Sequence, residues 1–78
     1  MVEIVPGIVA DKDIHFGKPV IKGTRVPVET VLGALVGGTS FEEIVAEYGI
    51  TKDDIIAALN YALKLVSGRA RIRRAEHQ

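Results

Sequence analysis

The sequence contains no cysteine and no tryptophan, and only two tyrosines and two phenylalanines occur among its 78 residues. Without cysteine, the chain forms no disulfide bond and no cysteine-containing zinc site. His15 and His77 lie far apart without the spacing of metal ligands, so we interpret both as ordinary polar residues and expect no metal or other cofactor. A domain of this length buries only about 60–65% of its unfolded surface, so we expect a homodimer or higher homo-oligomer to add stability.

Long hydrophobic runs are also absent. The longest uncharged run, Thr30 to Phe41, has 12 residues and three glycines, whereas a membrane-spanning helix needs about 20 apolar residues. The first residues, MVEIVPG, contain an acid and lack the basic start and apolar run of a signal peptide. We therefore predict a cytoplasmic protein with no membrane segment, and a single domain over residues 1–78 with its core at about residues 4–67.

The net charge is zero, but the two signs are unevenly distributed along the chain. The last ten residues, RARIRRAEHQ, contain four arginines and one glutamate, a net charge of +3. Residues 1–68 contain six basic and nine acidic residues, a net charge of −3. This distribution predicts an acidic body with a basic C-terminal tail at residues 69–78.

Apolar residues at helical spacing predict three helices. The first is indicated by Val28, Val31, Leu32, Leu35 and Val36, and ends at Gly37-Gly38. The second begins at Ser40, where Glu43 completes a capping box, and ends at Gly49. The third begins at Thr51 and ends near Gly68, with Asp53 and Asp54 at the positive end of its dipole. Its apolar stripe consists of Ile55, Ile56, Leu59, Ala62, Leu63 and Val66.

Three short β-prone pieces precede these helices: Ile4-Val5, Ile8-Val9 and Val20-Ile21. They are too short to be stable alone in water, so we expect them to form a small hairpin or to add to a strand of a partner. The predicted fold class is mainly α, a small three-helix helix-turn-helix-like domain with short N-terminal strands or a hairpin.

The segment GKPVIKGTRVPV, residues 17–28, has the glycines and lysines of a phosphate-binding loop but not their order. Gly17-Lys18 is followed by Pro19, which has no N–H to donate to a phosphate. We interpret the segment as a turn, a short strand, a second turn and a helix start at Pro27. Folding alone leaves its polar residues unexplained, namely Lys18, Lys22, Thr24 and Arg25.

The second and third helices are joined by Gly49, Ile50 and Thr51, which is the layout of a helix-turn-helix motif. Its inner face is predicted to comprise Ile44, Val45, Tyr48, Ile50, Ile55 and Ala58. Binding in a DNA groove draws on Lys and Arg contacts to phosphates, but residues 40–66 contain five acids and two bases. Only Lys52, Lys64 and Asn60 favour DNA on this surface.

The run GKPVIKGTRVPVETVL, followed by GGTSFEEIVAEYGITKDDIIAALNYA, resembles the domain of unknown function 433 family of small prokaryotic proteins. The resemblance covers roughly residues 4–63. It implies a helix-turn-helix-like fold and an antitoxin role like that of VapB proteins. The implied partner is a PIN-like ribonuclease toxin, and operator DNA is a second one, through autoregulation.

An antitoxin is therefore our leading functional prediction, and a stand-alone helix-turn-helix DNA-binding transcriptional regulator is the alternative. We do not expect an enzyme, because there is no cysteine nucleophile and neither Ser40 nor Ser67 has a histidine nearby in the sequence. The adjacent acids Asp53 and Asp54 are explained by helix capping.

The candidate toxin-binding residues are arginines of the tail: Arg69, Arg71, Arg73 and Arg74. The resemblance implies a nuclease whose metal is held by clustered carboxylates, and a guanidinium binds a carboxylate at two points. The alternative is a solvated helix end with arginines near the negative end of the dipole. The candidate DNA-binding residues are Lys18, Lys22, Thr24, Arg25 and Lys52. Thr24 is expected to hydrogen-bond locally, and the cations to be either phosphate contacts or solvated surface charges.

Overall fold

The computed structural model describes the backbone of residues 1–77 and the side chains of residues 1–68. It contains three helices and a three-stranded antiparallel sheet. The strands are β1 (Val2–Val5), β2 (Ile8–Ala10) and β3 (Val20–Ile21), and they lie side by side in the order β1-β2-β3. The helices are α1 (Val28–Val36), α2 (Phe41–Tyr48) and α3 (Lys52–His77).

The predicted hairpin is confirmed, and a third strand extends it within the same chain. β1 and β2 meet through the turn at Pro6 and Gly7, where Gly7 has a φ of 87°. The Gly7 N–H donates to Glu3 Oε2 at 2.9 Å, which holds the turn. The three strands therefore pair with one another and do not need a strand of a partner.

The ends of α1 and α2 follow the sequence signals. Pro27 precedes α1, as expected for a residue that lacks an N–H and has a fixed φ. The Ser40 side chain accepts a hydrogen bond from the Glu43 N–H, and Glu43 in return accepts from the Ser40 N–H. Gly49 ends α2 in the left-handed conformation, with a φ of 67°. The predicted capping box and glycine stop are therefore confirmed.

The end of α3 differs from the prediction. Its start is as expected, since the Asp54 N–H donates to Thr51 Oγ1 and the Thr51 N–H donates to Asp54 Oδ2. The helix does not end near Gly68 but continues to His77. Gly68 does not have the positive φ of a helix-ending glycine. A glycine inside a helix costs only about 1 kcal/mol relative to alanine, and the arginines and alanines that follow favour helix.

The core lies between the helices and strands β2 and β3. Ile8 and Ile21 stand opposite each other on β2 and β3 and pack with side chains of all three helices. The buried hydrophobic residues are Ile8, Val9, Val20, Ile21, Val28, Val31, Ile44, Ile50, Ile55 and Ala58. Ile50, between α2 and α3, is only 3% exposed, so the connection between these helices is anchored in the core.

Candidate functional site

The segment between β2 and α1 is held in one conformation by its own hydrogen bonds. The Ile14 N–H donates to the Asp11 carbonyl at 2.9 Å, and the Gly17 N–H donates to the Ile14 carbonyl at 3.1 Å. His15 Nε2 lies 2.9 Å from the Arg25 carbonyl oxygen and donates to it. Since the His15 bond joins the first part of the segment to Arg25 near its end, the segment forms a shaped surface feature.

Phe16 projects from this segment and is fully exposed. It lies in a 3₁₀ turn, His15–Gly17, in which all three residues have a positive φ: 49° for His15, 57° for Phe16 and 87° for Gly17. Aromatic residues rarely adopt such a φ, and the conformation costs roughly 1–2 kcal/mol per residue. Sequence reasoning missed Phe16, because only the tertiary structure shows that it is exposed.

Thr24 holds the turn that follows β3. Its hydroxyl donates to the Ile21 carbonyl at 2.8 Å and accepts a hydrogen bond from the Val26 N–H at 3.0 Å. The Val28 N–H donates to the Pro19 carbonyl at 3.0 Å, which joins the start of α1 to the segment before β3. The local hydrogen bonding predicted for Thr24 is therefore confirmed. These bonds assign Thr24 a role in folding the segment.

Two candidate DNA-binding lysines on this segment are paired with acids from other elements. Lys18 Nζ lies 2.8 Å from Glu29 Oε1, and Lys22 Nζ lies 3.5 Å from Glu3 Oε1. The Lys18 hydrogen bond, and then its charge, hold the pKa of Glu29 below its usual value. The Gly7 N–H is the first cause of the lowered pKa of Glu3, followed by the charge of Lys22. Exposed ion pairs contribute only about 0–1 kcal/mol, so a phosphate can compete for either lysine.

Lys52, the candidate on α3, is also paired. Its Nζ lies 3.4 Å from Glu42 Oε2 on α2. The Glu42 backbone N–H, and then Lys52, lower the pKa of the Glu42 carboxyl. Arg25 is exposed and makes no ion pair among the side chains of residues 1–68. Carboxylates therefore partly neutralise the charges of Lys18, Lys22 and Lys52. The DNA-binding role of the five candidate residues stays a prediction.

An apolar cavity lies beside the Lys18–Glu29 pair. Its volume is about 280 Å³. The floor is formed by aliphatic and aromatic side chains of α1 and α3, and the ion pair forms part of the rim. The lining residues are Lys18, Pro19, Val28, Glu29, Leu32 and Tyr61. A cavity of this kind fits one apolar side chain of a partner better than a charged one.

Much of the apolar stripe predicted for α3 is exposed. Ile55 and Ala58 are fully buried. Four residues of the predicted stripe remain in solvent, with exposed fractions of 53% for Ile56, 38% for Leu59, 62% for Leu63 and 64% for Val66. The helix therefore has one apolar face on the core and a second that the described part of the chain leaves uncovered.

The four candidate toxin-binding arginines, Arg69, Arg71, Arg73 and Arg74, lie outside the residues whose side chains are described. Their backbone belongs to α3. Among the described residues, no group of three His, Asp or Glu side chains is arranged to hold a metal ion. No described helix is both long enough and apolar enough to cross a membrane.

Comparison with known proteins places this chain beside one family. The model of the family described as "Protein of unknown function (DUF433)" matches residues 8–62. These residues include β2, β3, α1, α2 and the first eleven residues of α3. The match therefore covers the hydrogen-bonded segment, the cavity and the paired helices together.

One similar curated protein is named "Putative antitoxin VapB45", from Mycobacterium tuberculosis (strain ATCC 25618 / H37Rv), and is 38% identical over 53 residues. The match covers 68% of this chain and 22% of that protein. The X-ray crystal structure of Rv2018 from Mycobacterium tuberculosis is also similar, with a TM-score of 0.62 and 38% identity over 67% of this chain. The match spans 24% of that chain, so the relatives are about four times the matched length.

Proposed function

The chain belongs to the DUF433 family, and we propose that it is an antitoxin that binds and neutralises a toxin. The observation that carries the proposal is the identity shared with the relative named as an antitoxin, which extends over most of the folded part of this chain. Because the match spans less than a quarter of that relative, the role is proposed for this chain on its own surfaces.

The partner that we propose is a PIN-like ribonuclease. Such a partner would hold its metal with clustered carboxylates, and the arginines at the end of α3 would bind them. Charge-assisted hydrogen bonds of this kind contribute about 1.5–3 kcal/mol each. The backbone of these arginines belongs to α3, which runs without a break from Lys52 to His77. We call Arg69, Arg71, Arg73 and Arg74 the arginine arm, and it is an extension of this helix rather than the separate tail that the sequence indicates.

Phe16 is a second proposed toxin contact. Aromatic residues are enriched at the energetic centres of protein interfaces, where they fill a pocket of the partner. Phe16 is fully exposed on a turn whose hydrogen bonds fix its position, so little conformational freedom would be lost on binding. The apolar cavity beside Lys18 would accept a side chain of the toxin in return.

The experiment that tests the antitoxin role is co-expression with the product of the neighbouring gene, followed by co-purification. Ribonuclease activity of that product would then be measured with and without this protein. We expect a stable complex and inhibition that saturates at a fixed ratio of the two chains. A neighbouring product that is an active ribonuclease and is neither bound nor inhibited would contradict the proposal.

DNA binding is the second function that we propose, either as autoregulation by the antitoxin or as the role of a stand-alone regulator. It is favoured by two capped helices separated by the three residues Gly49, Ile50 and Thr51, which is helix-turn-helix spacing. The acidic residues of α2 and the start of α3 oppose it. The DNA would therefore be bound mainly through the cations at Lys18, Lys22, Arg25 and Lys52.

Charge reversal of Lys18, Lys22 and Arg25, singly and together, tests this second role, with Lys12→Glu as the single-site control, because Lys12 is exposed and outside the candidate set. Affinity for DNA from upstream of the gene would be measured over a range of salt concentrations. We expect the triple variant to bind more weakly and its salt dependence to fall by about one unit of slope for each lost phosphate contact. An unchanged slope would limit these residues to folding the segment.

A further inference from the structure

Four exposed apolar residues of α3 have the spacing of a coiled-coil seam. Ile56, Leu59, Leu63 and Val66 are separated by three, four and three residues, which places them in one row along the helix. Their exposed fractions lie between 38% and 64%. We call these four residues the α3 seam.

The seam cannot be buried by a rotation of α3 within the chain. Ile55 and Ala58 lie on the adjoining face of the same two turns, in the core, and are completely buried. Turning the helix far enough to bury the seam would withdraw Ala58 and Tyr61 from their contacts with the core. The residues beside the seam, Asn60, Ala62 and Ser67, are small or uncharged, so a second helix can approach it closely.

The charges at the two ends of α3 identify an occupant for the seam. Asp53 and Asp54 lie in the first turn, whereas the last turns contain Arg69, Arg71, Arg73 and Arg74. A second α3 packed antiparallel places its basic end beside this acidic start, and the reverse holds at the other end. A parallel pair would place the arginines of both chains together. The helix itself is thus complementary to an antiparallel copy of itself.

The register of such a pair follows from the spacing. A two-fold axis at the level of residue 61 places Leu59 opposite Leu63 of the partner subunit and Ile56 opposite Val66 of the partner subunit. The same axis brings position 53 to the level of position 69, so the acidic start of one α3 lies beside the basic end of the other. Each of the four seam residues then makes the same contact from both chains, as expected for a symmetric interface.

We propose that this protein forms an antiparallel homodimer through the α3 seam. The dimer buries apolar surface that a single chain of this size leaves in water, and it does not depend on whether the protein is an antitoxin. Its interface lies on the helices, and the sheet edge at β1 is not part of it.

Solution mass tests the interface, with two leucines of the same helix as the matched pair. Leu63→Glu places a charge in the seam, whereas Leu65→Glu makes the same change two residues away, at a side chain that is 50% exposed and off the seam. We expect the unaltered chain and Leu65→Glu to sediment at twice the 8.4 kDa chain mass at micromolar concentration. Leu63→Glu should sediment as a monomer, with its dimer dissociation constant raised by about a hundredfold or more. Circular dichroism checks that both variants remain folded.

Cross-linking tests the orientation, because the chain has no cysteine of its own. In the antiparallel pair, a mixture of Leu59→Cys and Leu63→Cys forms a disulfide-linked dimer more readily than either variant alone. In a parallel pair each single variant would cross-link with itself. A monomeric unaltered chain, a Leu63→Glu variant that remains dimeric, or self-linked single variants would each overturn the proposal. So would a Leu63→Glu variant that loses toxin binding while its mass is unchanged, since the seam would then belong to the toxin.

Discussion

Lys18 Nζ and Glu29 Oε1 lie 2.8 Å apart, joining the segment before β3 to the first turn of α1. The two residues are eleven positions apart in the sequence, so the pair forms only when the chain folds. It closes one side of the apolar cavity and positions the start of the helix that carries Val28 and Val31 into the core.

The Lys18–Glu29 pair predicts how the free energy of unfolding depends on pH. The pKa of Glu29 is lowered in the folded protein, as are those of Glu3, Glu42 and Glu43. A lowered folded-state pKa contributes stability above the unfolded pKa, and this contribution is lost as the pH falls through the folded value. We therefore expect the free energy of unfolding to fall as the pH decreases below the ordinary glutamate value of 4.5.

Urea unfolding between neutral pH and pH 3 measures this dependence. Glu29→Gln should make the curve less steep in the acid range, because one of the four carboxylates no longer titrates. Glu47→Gln is the control, since Glu47 is exposed and makes no ion pair with any described side chain. Equal acid dependence in Glu29→Gln and the unaltered protein would show that the pair contributes nothing measurable.

Gly7 is predicted to be irreplaceable for two separable reasons. Its φ of 87° disfavours any side chain, and an added Cβ would lie 3.0 Å from the Cβ of Ala57 on α3. Gly23 has a similar φ of 80° with no atom within 4 Å of an added Cβ. Gly23→Ala should therefore cost only the backbone strain, about 1–2 kcal/mol, and Gly7→Ala should cost more.

Chemical denaturation of both alanine variants separates the two terms. The contact term should be relieved in the double variant Gly7→Ala with Ala57→Gly, after allowance for the cost of Ala57→Gly alone. If Gly7→Ala and Gly23→Ala were equally destabilising, the close approach of the β1–β2 turn to α3 would not constrain the sequence.

Phe16→Asn should leave stability unchanged or raise it slightly. The side chain is fully exposed and therefore contributes no packing, and asparagine tolerates a positive φ better than phenylalanine does. We expect a change in the free energy of unfolding within about 0.5 kcal/mol of zero or stabilising. If Phe16 contacts the toxin, the same variant should weaken toxin binding by about tenfold or more.

Titration of the toxin and thermal unfolding measure the two effects on Phe16→Asn separately. Val36→Asn is the matched control, because Val36 is also an exposed apolar residue, 89% exposed, and lies at the C-terminal end of α1. Equal binding by both variants would place the toxin contact elsewhere on the surface.

Neutralising the arginine arm should reduce toxin inhibition without unfolding the domain. The change is Arg69, Arg71, Arg73 and Arg74 to glutamine, in the full chain. The control changes four lysines of the body to glutamine, namely Lys12, Lys22, Lys52 and Lys64, and so alters the net charge equally. We expect the arginine variant to lose more affinity at fixed salt, since each guanidinium bonds a carboxylate at two points.

Nuclease inhibition and solution mass must be measured on the same arginine variant, because the arm also supplies charge to the proposed dimer. A loss of inhibition with the dimer retained supports direct contact with the toxin. Equal inhibition by the arginine variant and the lysine control would move the toxin contact to the helices or to Phe16.

The sequence by itself determined the local elements of this protein. The Ser40–Glu43 capping box, the glycine at position 49 and the Thr51–Asp54 pair act within three or four residues, so their hydrogen bonds follow from residue type and spacing alone. The same is true of Thr24, whose partners lie two and three residues away. The predicted end of α3 was wrong because Gly68 does not adopt the positive φ that Gly38 and Gly49 have at the ends of α1 and α2.

The tertiary structure decided which surfaces are buried and which are free. Apolar residues surround more than half of α3, so periodicity could not separate Ile55, which enters the core, from Ile56, which remains exposed. The pairing of Lys18 with Glu29 and of Lys22 with Glu3 depends on bringing distant elements together, as does the exposure of Phe16. Burial is a property of the neighbours that surround a residue, and those neighbours are assembled only when the sheet and the helices pack.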